Sequence, residues 1–290
     1  MLKSNHQFLN PMPFINPILI QIGPIAIHWY GLMYVITFLL GYLFLQKSRL
    51  GRQLPLNTTQ KDNLLITLIL GIILGGRLGY ILFYNLSYYL QNPLKIIAIW
   101  EGGLSFHGGV IGTAIAIILY IKFYHRAPNQ TKLHFLNISD FTVLVVPIGI
   151  FLGRIGNFIN SELYGRISPD HQFCLNFPTD PTNCRYPSQL IESFSEGLLL
   201  FIIIYFLSKQ AKITAKRGRL TAIFLILYGL IRTIAENFRE PDAQIGYLFS
   251  GIVPGFVGIS LGQVFSILTI LTGVIIMICI TKRPRLLKIV

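Results

Sequence analysis

Residues 153–165 read "GRIGNFINSELYG", so an arginine, two asparagines and a glutamate (Arg154, Asn157, Asn160 and Glu162) follow directly on strongly apolar sequence. An ionisable side chain at the centre of a membrane helix costs about 2.5–3.5 kcal/mol on insertion scales, so such groups face a wet or paired interior. At about 100° per residue, Arg154, Asn157, Ser161 and Glu162 fall within an arc of roughly 140° and can line one cavity. The chemistry they suit is recognition of an anion. A guanidinium makes planar, two-pronged hydrogen bonds to phosphate oxygens and stays charged at any accessible pH. The plainer reading is that Arg154 and Glu162 neutralise each other or a neighbouring helix, but an ion pair alone does not account for the flanking Gly153, Gly156 and Gly165.

Other stretches add to this set. "GGLSFHGGVIG", 102–112, brackets His107 with five glycines, which favours access to something large over a purely structural histidine. Arg232, Glu236 and Arg239 recur at i, i+4 and i+7 on one helix face. Arg232 and Glu236 form a structural pair on that spacing, and Arg239 is left over for an anion. The glycines of "GGRLG", 75–79, read as close helix packing, with Arg77 assigned to the same job. Metal-assisted chemistry lacks ligands, because the eleven acids are scattered and there is no HExxH; there is no GxSxG either.

These residues need elements to position them. The chain is 53% hydrophobic and only 12% charged, against roughly 25% charged for a soluble domain. It reads as an all-α integral membrane protein, since the apolar runs are long and do not alternate as barrel strands would. Seven spans are predicted, at 28–47, 63–84, 103–124, 139–160, 188–208, 220–239 and 260–281, forming a single polytopic domain over 1–290. Prolines at 11, 13, 17 and 24 interrupt the first 27 residues, which predicts an uncleaved, non-spanning N-terminal segment.

The net charge of +13 is an orientation signal rather than a nucleic-acid footprint. Basic residues cluster on alternate loops, at Lys47 to Lys61, Lys122 to Lys132 and Lys209 to Arg219, and again at Lys282 to Lys288. The positive-inside rule then places the N-terminus outside and the C-terminus in the cytoplasm. On that orientation "HWYG" (28–31), Arg77, His107, Arg154, "YPSQLIE" (186–192) and Arg239 all lie toward the outer face. Residues 161–187, between spans four and five, become a small outward-facing head loop. Cys174 and Cys184 lie in it, where a disulfide is permitted but not fixed by a spacing of ten residues; Cys279 reads as packing.

At these residues the chain resembles the bacterial prolipoprotein diacylglyceryl transferases. "GRIGNFINSELYG" matches that family's signature, Gly-Arg-x-Gly-Asn-Phe-x-Asn-x-Glu-x-x-Gly, at every fixed position. "HWYGLMY", "LGGRLGY", "GGLSFHGGVIG", "PSQL" and "FREPDAQ" follow the family's order over about residues 15–280. The resemblance implies a multi-pass enzyme of the bacterial plasma membrane that works without a cofactor or nucleic acid. It would move a diacylglyceryl group from phosphatidylglycerol, a membrane lipid, to the lipobox cysteine thiol beside a prolipoprotein's signal peptide, releasing glycerol phosphate. The family's important positions fall on Tyr30, His107, Arg154, Asn157, Glu162, Gly165 and Arg239. The family often has His where this chain has Tyr186 and an aromatic where it has Ile191, and Ser161 replaces a common Gly, a change expected to cost nothing.

On this reading His107 is the candidate base for the thiol, and Arg154 and Arg239 stabilise charge on the departing phosphate, with Asn157 and Glu162 holding them or the headgroup. A transporter would place its polar groups at the midplane and in inverted halves, whereas these sit near one face. A metal-dependent headgroup transferase would need an acidic cluster that the chain lacks.

Overall fold

The computed structural model describes residues 11–13, 15–126, 131–169, 172–240, 247–248 and 259–282. Pro241 to Gln244 of "FREPDAQ", Lys3, and the basic residues Arg283, Arg285 and Lys288 lie outside them. Among the described residues seven helices are long and apolar enough to cross a membrane: α1 (Trp29–Lys47), α2 (Thr58–Tyr84), α3 (Phe106–Tyr124), α4 (Phe135–Ile159), α5 (Ser188–Lys209), α6 (Arg219–Phe238) and α7 (Leu261–Lys282). Each covers a span expected from the sequence. At the starts of α2 and α3, where the bounds differ, local capping is the reason. α2 starts early because Asn57 and Gln60 form a reciprocal capping box. α3 starts late because Gly102 and Gly103 take φ of 82° and 78°, and Ser105 caps the helix by accepting from the Gly108 N–H.

Short antiparallel hairpins accompany the helices. One pairs β1 (Ile18–Ile22) with β2 (Ile25–His28) ahead of α1, and another pairs β3 (Leu175–Phe177) with β4 (Asp180–Arg185) between α4 and α5. The described residues form two compact units, one within Leu40–Phe141, the other within Met1–Leu39 and Thr142–Lys288.

In the first of these, α2 and α3 pack backbone to backbone. A β-carbon on Gly75 would strike the Gly108 carbonyl and Gly112 Cα, and one on Gly79 would strike Gly108 Cα. Small residues at i, i+4 spacing permit this approach, and dispersion across the contact then holds the helices. Gly108 and Gly112 therefore serve packing, a different role from the access around His107 that the sequence suggests. Tyr120 and Tyr124 fasten the other end, donating to the carbonyls of Gln60 and Pro55 at 2.7 and 2.8 Å.

In the other unit, the loop between α4 and α5 is braced at several points. Cys174 and Cys184 are joined by a disulfide. Gly165 sits between two strand-like segments: its N–H donates to Tyr186 O at 2.9 Å, and Arg166 N–H donates to Phe238 O at 3.1 Å. Any β-carbon at Gly165 would overlap the Phe238 and Tyr186 carbonyls.

Candidate active site

The site in the unit containing Thr142–Lys288 is built outward from the end of α4. The helix stops through a left-handed residue at Ser161, with φ of 55°. Ser161 N–H bonds back to Phe158 O and Glu162 N–H to Asn157 O, both at 3.0 Å, which is the paired closure of a Schellman motif. Glycine is the usual occupant because a β-carbon crowds the left-handed region, by roughly 1–2 kcal/mol per residue. The exchange of Gly for Ser161 is thus not free, contrary to the expectation from sequence. The turn also ends the helical arc at Ile159, so Glu162 comes to Asn157 by reversal of the chain rather than by helical phase.

That reversal closes a polar chain. Asn157 Nδ2 donates to Glu162 Oε1 at 2.8 Å, Asn160 Nδ2 reaches the same oxygen at 3.4 Å, and Arg154 Nη1 donates to Asn157 Oδ1 at 3.4 Å. The ring of Tyr30 lies against Gly156 of α4, and its hydroxyl meets that of Tyr34 at 3.3 Å.

Arg154 does not pair with Glu162. Its Nη2 lies 2.5 Å from Glu192 Oε2 on α5. Arg232 of α6 reaches the same oxygen at 2.8 Å, and Arg239 Nη1 stands 3.7 Å from it. Arg232 also contacts Glu196 Oε1 at 3.1 Å and Glu236 Oε2 at 2.6 Å. The expected Arg232–Glu236 pair is present, but Arg232 is also the hub of the cluster, and Arg239 is loosely held by Glu192 rather than left over. The Glu192 side chain is 1% exposed, whereas those of Arg154 and Arg239 are 19% and 18% exposed. A single buried carboxylate thus anchors three arginines, of which Arg154 and Arg239 are the more exposed.

α5 supplies its acids through an irregular stretch. Ser193–Leu199 is wound as π-helix, a form concentrated at functional sites. Ser193 Oγ donates to Phe151 O at 2.9 Å, and Gly197 lies against the Phe151 backbone, so the π segment is clamped to α4. Sequence reasoning missed Glu196 and gave Glu192 no role. The available signal was two acids four residues apart in an otherwise apolar span. Four buried side-chain oxygens have no hydrogen-bond donor among the described residues: Asn160 Oδ1, Gln189 Oε1, Glu192 Oε1 and Glu196 Oε2. Each can accept from a ligand.

The loop beyond the site carries a second polar cluster. Arg185 pairs with Asp180 at 2.5 Å and with Glu240 at 3.1 Å, and its guanidinium lies over the Tyr164 ring. Burial alone would raise the Asp180 pKa, but hydrogen bonds from Arg185 and Asn183 outweigh it and hold the carboxyl below its ordinary value. Tyr186 stacks edge-on to Phe238, while Ile191 lines an apolar groove of about 620 Å³ with Phe173, Leu190, Phe194 and Leu198.

His107 belongs to the unit that contains Leu40–Phe141. It occupies the first turn of α3, beside the ring of Phe106 and exposed. Among the described residues no group of three or more His, Cys, Asp or Glu side chains is placed to hold a metal ion.

Comparison with known proteins gives a consistent result. Residues 17–279 match the family model described as prolipoprotein diacylglyceryl transferase. The chain is 44% identical over 276 residues to the phosphatidylglycerol–prolipoprotein diacylglyceryl transferase of Azospirillum brasilense, covering 94% of this chain and 97% of that one. Against the protein of the same name from Rhodospirillum rubrum the identity is 41% over 283 residues, covering 97% and 98%. Against that of Buchnera aphidicola it is 43% over 286 residues, covering 91% and 96%.

Proposed function

Since the chain belongs to the prolipoprotein diacylglyceryl transferase family, we propose that it transfers the diacylglyceryl group of phosphatidylglycerol to the lipobox cysteine of a prolipoprotein. The enzyme sits in the bacterial plasma membrane as a single polytopic domain. Its N-terminus is outside, its C-terminus is in the cytoplasm, and both its site and the 161–187 loop face the outer leaflet. The geometric observation that supports this reading most is the gathering of Arg154, Arg232 and Arg239 about Glu192.

The reaction needs a nucleophile and a stabilised leaving group. A free thiol has a pKa of about 8.5 and is only a few per cent thiolate at neutral pH, so a base near the incoming cysteine helps. His107 takes that proton. The sulfur then forms a bond to the glyceryl carbon as the carbon–oxygen bond to phosphate breaks, and the electron pair leaves on the phosphate oxygen. The products are a thioether and glycerol phosphate, and His107 returns its proton to the phosphate monoester or to water.

Arg154 and Arg239 meet the developing charge, each through the part of its guanidinium that Glu192 does not occupy. Fixed charges in a low-dielectric site need no reorganisation at the moment of reaction. Asn157 and Glu162 set the angle of Arg154, and Tyr30 closes the α4 side. Gly165 keeps the loop against Arg239, whose backbone it pairs with in an isolated bridge. The buried oxygens without donors suit the hydroxyls of a glycerol headgroup.

The experiment that tests this uses phosphatidylglycerol labelled in its terminal glycerol. Water-soluble labelled glycerol phosphate should appear only with enzyme and a peptide whose lipobox holds Cys. Release with a Ser peptide would indicate a phospholipase instead.

A further inference from the structure

The turn that ends α4 holds Ser161 and Leu163 in the left-handed region, both with φ of 55°. Non-glycine residues stay in that conformation only where their surroundings over-determine it. For Ser161 those surroundings can be named. Its N–H donates to Phe158 O, and its own carbonyl accepts from Thr179 Oγ1 at 3.0 Å. Its hydroxyl, on a residue only 9% exposed, donates to the thioether sulfur of Met12 at 3.7 Å. A buried hydroxyl left without an acceptor is destabilising, so even a weak acceptor such as a thioether matters here.

Met12 reaches this turn from the non-spanning segment ahead of β1, and it is itself buried. Its N–H donates to Asn176 O of β3 at 3.0 Å, and Pro11 forms a parallel bridge with the same asparagine. β3 in turn underlies the turn. Phe177 is fully buried, with its ring edge-on to Phe158 before the turn and stacked on Tyr164 after it, at centroid distances of 6.2 and 5.0 Å. The Cys174–Cys184 disulfide fastens the open end of the β3–β4 hairpin. Residues 11–13, the hairpin and the signature turn therefore interlock at one serine.

We propose that Met12 is a positioning residue for the transfer reaction, acting through the Ser161 hydroxyl on the turn that delivers Glu162 to Asn157. Glu162 is the next residue in the chain. Its N–H donates to Asn157 O, its carboxylate accepts from Asn157 Nδ2, and Asn157 Oδ1 accepts from Arg154. A shift of the turn is thus passed along hydrogen bonds to a guanidinium of the site. Glycine at this position would need neither an acceptor nor a neighbour to hold its φ. The dependence on Met12 arises because this chain has Ser161 where its family often has Gly. Serine strains the turn, and methionine steadies it. The inference rests on the placement of Asn157 and Glu162 in the transfer site.

The coupling is tested on the parent, Met12→Ala, Ser161→Gly and the double variant, each in vesicles. The readouts are diacylglyceryl transfer to a lipobox peptide and hydrogen exchange at the amides of residues 161 and 162. Met12→Ala should lower kcat about tenfold through misplacement of the site. It should also speed exchange at both amides, with the spans protected from protease as in the parent. Ser161→Gly sets its own baseline, and the double variant should match that baseline on both readouts, because coupled residues depart from additivity. Met12→Leu keeps the volume and loses the acceptor, so it serves where Met12→Ala inserts poorly, and its loss should likewise vanish in the Ser161→Gly background. A loss of the same size in both backgrounds would make Met12 a general packing residue and overturn the proposal. Parent-like turnover and exchange in Met12→Ala and Met12→Leu would overturn it as well. Were the parent to transfer nothing, the proposed function would fail, and the exchange cycle would still decide whether Met12 sets the turn through Ser161.

Discussion

The ring of Tyr30 rests on Gly156 so closely that a β-carbon there would sit 2.5 Å from Tyr30 Cδ2. The glycine is thus the floor on which an aromatic side chain of α1 meets the signature helix. Gly156→Ala must displace either the ring or α4, and overpacking of this kind costs about 1–3 kcal/mol. Turnover should fall at least tenfold while membrane insertion persists, measured as transfer in vesicles beside a protease-protection assay. Unchanged turnover would show that Tyr30 has no part in the site.

Glu192 and Glu196 differ in how many arginines they hold, and their variants should differ accordingly. Glu192→Gln strips the common anchor from Arg154, Arg232 and Arg239. Removing one partner of a buried ion pair costs about 3–5 kcal/mol, so the protein should unfold at markedly lower temperature in detergent and lose activity. Among the described residues Glu196 forms an ion pair with Arg232 alone, and Glu196→Gln should be distinctly milder on both measures. Equal effects would mean that Arg232 alone organises the cluster.

Arg154→Lys keeps the charge but cannot reach Glu192 and Asn157 together while still facing an anion. Turnover should drop severely with the protein still inserted, and near-normal activity would reduce Arg154 to a structural partner. Arg77→Lys should spare turnover more but lower thermal stability, because three ammonium hydrogens cannot serve five carbonyls.

The existence and order of the spans were legible because a helix that crosses a bilayer needs about 20 apolar residues, and that requirement is written in composition alone. The signature residues were legible for the same reason, as polar groups in an expensive place. The partners were not. Helical spacing sees neighbours on one helix, so it paired Arg232 with Glu236 and could not see Glu192 and Glu196 arriving from α5. The left-handed turn at Ser161 was hidden too, since a single non-glycine residue carries no sign of its φ. Gly108 and Gly112 looked like open space around His107 because packing against Gly71, Gly75 and Gly79 is a property of two helices together.

The Cys174–Cys184 disulfide and the Asp180–Arg185 pair brace the loop and contribute no nucleophile in this account. A triple Cys→Ala variant should still transfer diacylglyceryl in the presence of chelator, with about 2–4 kcal/mol less stability where the loop is concerned. Because the folded-state pKa of Asp180 is depressed, its contribution is fully present above the unfolded value of about 3.9 and fades as pH falls through the lower folded value. Proteolysis of the loop should therefore accelerate below about pH 4 in the parent but show no such dependence in Asp180→Asn. An inactive but inserted triple variant, or lipid attached to an enzyme cysteine, would point to a two-step route.

The central claim is that the enzyme joins diacylglycerol to a substrate thiol. A peptide carrying one lipobox cysteine, incubated with the purified protein and phosphatidylglycerol of a single acyl composition, should gain the mass of one diacylglyceryl unit at that cysteine. The bond should survive mild alkali and reductant, as a thioether does. A peptide of unchanged mass beside intact lipid, or an acyl group removable as a thioester, would contradict the account.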